Sequence, residues 1–109
     1  MSEYLVATGA RVRFDAERAA KADLFRGDNL FAGLNCFEPG QQQPVHTHTG
    51  SEKFYFLLSG KARLSVGARE VEAEAGDMVW APAGLPHGVV TVYERTTMLV
   101  AMAPPPRAR

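Results

Sequence analysis

Apolar and polar side chains alternate along much of this chain with the two-residue period of half-buried β-strands. The clearest case is segment 61–66, where Ala62, Leu64 and Val66 fall on one face and Lys61, Arg63 and Ser65 on the other. Segment 69–74, REVEAE, repeats the pattern, with Val71 and Ala73 opposed to charges. Further short strands are predicted at 4–6, 12–14, 24–26, 30–37, 54–58, 78–81, 88–92 and 96–102. Gly27-Asp28-Asn29 predicts a hairpin between 24–26 and 30–37, and Ser59-Gly60 predicts another between 54–58 and 61–66. Only segment 15–23, DAERAAKAD, has helix-forming composition, with Asp15 as its N-cap, and a solvated charged connector suits the same residues. About ten short strands with almost no helix predict an antiparallel sandwich or barrel.

A length of 109 residues allows one domain. Segment 1–23 reads as N-terminal strands and a connector, 24–102 as the β-domain, and 103–109, APPPRAR, as a disordered tail. Twelve basic and twelve acidic side chains cancel, which argues against nucleic acid or an anionic membrane surface as the partner. The single cysteine, Cys36, has no intrachain partner for a disulfide and reads as a small buried hydrophobe. The first residues lack the apolar run of a signal peptide, and no stretch approaches the ~18 apolar residues of a membrane span. A soluble, cytoplasmic protein is expected.

The chemistry concentrates in two stretches. GQQQPVHTHTGSEKFYFLLSG, 40–60, carries His46 and His48 two apart, so a strand there presents both imidazoles to one side, with Glu52 close behind. GDMVWAPAGLPHGVVT, 76–91, carries the third histidine, His87. Three imidazoles and a carboxylate are the ingredients of a mononuclear site for Fe, Mn, Ni, Cu or Zn. Tyr55 lies in an aromatic run and is a candidate for the substrate pocket. Met78 and Trp80 share a strand face and are read as core, with Trp80 a second pocket candidate. Gln41, Gln42 and Gln43 offer amides at the pocket mouth.

These two stretches resemble the paired motifs of the cupin superfamily. Gly40, His46, His48, Glu52 and Gly60 follow the first motif, except that seven residues rather than six separate Glu52 from Gly60. Gly76, Pro82, Gly84 and His87 match the second, with Thr91 where asparagine is usual. The resemblance spans roughly residues 24–102 and implies an all-β double-stranded β-helix, or jelly-roll barrel. It also implies a divalent metal held by His46, His48, His87 and a glutamate.

Counted from His48, Glu52 is well placed; counted back from Gly60, Lys53 holds the ligand slot. A one-residue slip reverses the face of a strand residue. Either a bulge before Phe54 turns Glu52 inward, or Lys53 faces the pocket. In the second case three histidines remain, as in thiol dioxygenases and acetylacetone-cleaving enzymes of the superfamily, and the lysine points away from the metal or pairs with an anionic substrate. The resemblance thus implies a metal-dependent dioxygenase on a small organic substrate. The alternatives are a Lewis-acid isomerase, epimerase or decarboxylase, and a non-catalytic sugar or small-anion binding barrel. A homodimer is expected, since pairing removes exposed sheet edges.

Overall fold

The structure, a computed structural model, describes residues 3–106. It contains seven strands, all paired antiparallel: β1 (Ala20–Arg26), β2 (Phe31–Phe37), β3 (Gln43–His46), β4 (Glu52–Val66), β5 (Arg69–Glu74), β6 (Met78–Ala81) and β7 (His87–Ala103). The hydrogen-bonded order is β1-β2-β7-β4-β5, with β3 added to β7 and β6 to β4. No helix among the described residues is long and apolar enough to cross a membrane.

Two strands are much longer than their patterns predict. The chain passes through Ser59-Gly60 and through Tyr93-Glu94-Arg95 without reversing, so β4 runs for 15 residues and β7 for 17. Their pairing shifts register repeatedly, first between Leu57 and Ser59 and last between Arg63 and Leu64, and such bulges bend and twist a strand. Gly60 sits in this bend at φ 91°, where a β-carbon would lie 2.5 Å from the Arg95 carbonyl oxygen and collide with Thr96. The bend lets each half of β4 take different partners. Residues 53–56 pair with β6, and residues 61–66 pair with β5.

The expected barrel does not close. The strand path has two free ends, β1 and β5, which do not pair with each other. Their composition explains this: Lys21, Asp23 and Arg26 are exposed on β1, and Glu70, Glu72 and Glu74 on β5. Charged edges resist further strand pairing. The double-stranded β-helix layout survives as an open sheet whose interior face collects Phe37, Tyr55, Leu57, Leu64, Val89 and Met98.

Segment 15–23 contains no helix; β1 begins at Ala20, because Ala20 and Leu24 alternate toward a second apolar cluster with Leu34 and Cys36. Burial of that face overrides local helix propensity. Segments 4–6 and 12–14 are not strands, and a 3₁₀ turn occupies Thr8–Arg11. Val12 and Phe14 instead cover the outer side of β1 and β2, so β2 is buried on both faces. The hairpin at Gly27 forms, with the Gly27 amide donating to the Leu30 carbonyl at 2.8 Å. Of the segment 103–109, Ala103 ends β7 and the Pro104 carbonyl accepts the Ser51 hydroxyl at 2.8 Å; residues 107–109 lie outside the described residues.

Candidate metal centre

β3 ends at His46, which pairs directly with His87 at the start of β7, and His48 follows in the loop beyond. Antiparallel pairing of a strand end with a strand start therefore brings together residues 41 positions apart in sequence. The ring centroids of His46 lie 4.7 Å from His48 and 4.6 Å from His87, and those of His48 and His87 lie 5.5 Å apart. One nitrogen of each ring falls within 4.8 Å of the others, a cluster capable of coordinating a metal ion.

The outer nitrogens are already committed. Nδ1 of His46 lies 2.9 Å from the Pro44 carbonyl, and Nδ1 of His87 lies 3.0 Å from the Leu85 carbonyl. Carbonyl oxygen only accepts, so each Nδ1 carries the proton and each Nε2 keeps a lone pair. His87 Nε2 is the fully buried side-chain atom left without a hydrogen-bond partner among the described residues. Such an orphan normally has an ion or water to satisfy it. Burial pushes His87 down to about 4, against the opposing Leu85 hydrogen bond, with the charge of Lys53 adding to the fall. Burial also lowers His48, helped by the charges of His46, Lys53 and Lys21. Both rings are thereby kept neutral at neutral pH, the form that binds metal.

The structure brings Lys53 to this pocket and leaves Glu52 outside. β4 pairs with β7 without a bulge from Glu52 through Leu57, so alternation is unbroken: Lys53 is only 6% exposed, while the Glu52 carboxylate accepts the Trp80 indole at 3.1 Å on the outer face. Burial pushes Lys53 down to about 8, with the charge of Lys21 adding to it. Its ammonium rests 4.5 Å from the Tyr55 ring centroid.

Trp80 is 62% exposed and Met78 59%, which corrects the core reading of both and removes Trp80 from the pocket. The reason is cross-strand register. Val79 pairs with Tyr55 and Ala81 with Lys53 on the inner face, so the residues between them point out. Tyr55 is fully buried and does not line the cavity; its hydroxyl donates to Gln43 at 2.6 Å, and burial holds its phenol well above the ordinary range.

The three histidines adjoin a cavity of ≈ 840 Å³ between β1, β2, β3 and the segment after β7, lined directly by His46 and His48. Lys21, Asn35, Gln43 and Pro104 to Pro106 also line it. Of these, the sequence pattern pointed only to Gln43. Gly88 was also missed. A β-carbon there would lie 2.7 Å from the Gln43 carbonyl oxygen and 2.9 Å from Val45 Cα, so glycine lets β3 press against β7. Gly88→Ala is expected to push β3 away and weaken metal affinity about 10-fold or more, with the fold retained. Competition with a chelator, alongside circular dichroism, measures both.

An open double-stranded β-helix with a three-histidine cluster between a short strand, β3, and the last long one, β7, defines a small cupin. The cupin-domain family model matches residues 33–102, and the chain belongs to that family. It is 32% identical over 95 residues to an uncharacterized protein of Streptomyces coelicolor, covering 84% of this chain and 90% of that one. It is 34% identical over 79 residues to dimethylsulfoniopropionate lyase DddQ of Ruegeria pomeroyi, covering 72% of this chain and 38% of the lyase. The TT1209 structure from Thermus thermophilus shares 36% identity with a TM-score of 0.85, covering 90% of this chain and 94% of that one. An RmlC-like cupin from Desulfovibrio desulfuricans shares 30% identity with a TM-score of 0.81, covering 97% and 98%.

Proposed function

We propose that this protein is a metal-dependent cupin enzyme in which His46, His48 and His87 hold a divalent ion. The observation that carries this is the buried, unpartnered Nε2 of His87 beside two further imidazoles. When bound, the ion supplies Lewis acidity toward a carbonyl or carboxylate oxygen of a small organic substrate. Pro44 and Leu85 carbonyls fix the tautomers of His46 and His87, so their Nε2 atoms are ready without reorganisation. Tyr55, held on Gln43, braces β3 from below and keeps its proton. Lys53 places positive charge at the pocket wall where other members of the superfamily place a glutamate.

Three histidines serve either class, and we favour an isomerase, epimerase, decarboxylase or other lyase over an oxygenase on similarity. The similarity to a lyase acting on dimethylsulfoniopropionate supports that class. The protein is expected to act as a homodimer, through the exposed Met78 and Trp80 on the outer face.

Elemental analysis of protein purified without a histidine tag tests the site. Near-stoichiometric metal is expected in wild type and in Glu52→Ala alike, because Glu52 lies outside the cluster. Loss of metal in Glu52→Ala would restore the four-ligand site and sink the three-histidine reading. Turnover by zinc-loaded protein without O₂ consumption is expected in a screen of small carbonyl compounds and carboxylates. O₂ uptake by the Fe(II)-loaded protein alone would favour the dioxygenase, and ligand affinity without turnover the binding module.

A further inference from the structure

Lys53 stands on the inner face of a central strand, paired on one side with Ala81 and on the other with Met102. It is 6% exposed, yet no carboxylate, carbonyl or other hydrogen-bond acceptor among the described residues engages its ammonium. The Tyr55 ring is its one close partner among them. Asn35, on β2, is 4% exposed and its side-chain amide likewise has no hydrogen-bond partner among the described residues. Lys21 lies directly opposite Asn35 in the β1–β2 register, so the two share a sheet face. All three residues line the cavity beside the histidines. The charge of Lys21 acts on both Lys53 and His48, which places the two ammonium groups in one field. Asp23 is the acidic residue lining the cavity, and it forms no ion pair with either lysine.

Unlike His87 Nε2, the Lys53 ammonium and the Asn35 amide are not sealed in the protein but open onto the cavity, where a bound molecule can pair them. Among the described residues, two lysines against the single carboxylate of Asp23, which pairs with neither, leave the cavity wall net positive. A net positive wall suits an anionic ligand.

We propose that Lys53, with Lys21 and Asn35, forms a preformed oxyanion subsite, and that the molecule this pocket takes is a small organic acid bound through its carboxylate. The inference rests on the reading of this cavity as the substrate site and adds the class of substrate. It does not require that the metal be the group that binds the acid. A phosphate group offers the same oxyanion chemistry, and the test separates the two.

Isothermal titration of the full-length protein, metal-loaded and chelator-stripped, with propanoate, its neutral isostere propanamide and inorganic phosphate provides that test. Propanoate is expected to bind about 10-fold or more tightly than propanamide in both forms, the preference given by a charge-assisted hydrogen bond. Lys53→Met is expected to abolish that preference and Lys21→Met to reduce it about 3-fold. Equal binding of propanoate and propanamide by wild type would overturn the subsite without reference to any variant. Binding that disappears on stripping and is unaffected by Lys53→Met would put the carboxylate on the metal, overturning the subsite and leaving the metal site intact. Preference retained in stripped wild type and lost in Lys53→Met would uphold the subsite even where metal binding itself had failed. Phosphate binding about 10-fold tighter than propanoate would overturn the carboxylate assignment.

Discussion

Replacing His48 by alanine is expected to lower affinity for a divalent cation by about 100-fold or more while leaving the fold intact. His48 lies in the loop after β3, half-buried, and no strand pairing depends on its side chain. His87 is a riskier target, since it is 1% exposed and starts β7. The measurement is metal content by mass spectrometry after dialysis against buffer containing trace Zn(II) or Fe(II), with thermal melting as the control for folding. Wild type should also gain thermal stability from added metal, because an ion that binds only the folded state stabilises it by mass action. His48→Ala should show neither retention nor that gain. Full metal content in the variant would show that the ion sits elsewhere.

Lys53→Met is expected to make the protein more stable. The usual lysine value of 10.5 falls to about 8 here, chiefly through burial, which corresponds to about 3 kcal/mol of opposition to folding at neutral pH. Methionine has a similar reach, fills irregular space and carries no charge to desolvate. The pH dependence gives the signature. Below about pH 8 lysine is protonated in both states, so the whole opposition is felt. Between about 8 and 10.5 the unfolded chain holds the proton and the folded chain does not, so wild-type stability rises with pH across this window. The advantage of Lys53→Met should therefore be largest at about pH 7 and fade toward pH 10.5. Chemical denaturation at about pH 7 and about pH 10 measures it. A variant less stable than wild type at neutral pH would mean that the ammonium has an internal partner.

The histidines were legible because spacing carried them. His46 and His48 lie two apart, Gly84 and Pro82 stand at fixed offsets before His87, and all three rings converge. The choice between Glu52 and Lys53 was not legible, because it depended on where the bulge falls. The first register shift comes after Leu57, not before Phe54, and that alone puts Lys53 inside. Ser59-Gly60 misled for a related reason: a glycine that reverses a chain and one that lets two bent strands touch have the same local sequence. Closure into a barrel was also misjudged, since pairing between the charged ends β1 and β5 is not written in the local pattern. Gly88 and Asn35 could not be found at all. Their roles appear only once β3 meets β7 and β1 meets β2.

One wall of the cavity is made by Pro104, Pro105 and Pro106, tied down by the Ser51 hydroxyl on the Pro104 carbonyl and the Arg26 guanidinium on the Pro106 carbonyl. Proline has no N–H to satisfy, so this segment needs no neighbouring strand. It is held by two side chains and contributes nothing to either apolar cluster. Changes there can therefore alter the size and shape of the entrance while the histidines, the bends and the core stay as they are. Selectivity in such a protein is free to drift from the segment after β7, at little risk to folding.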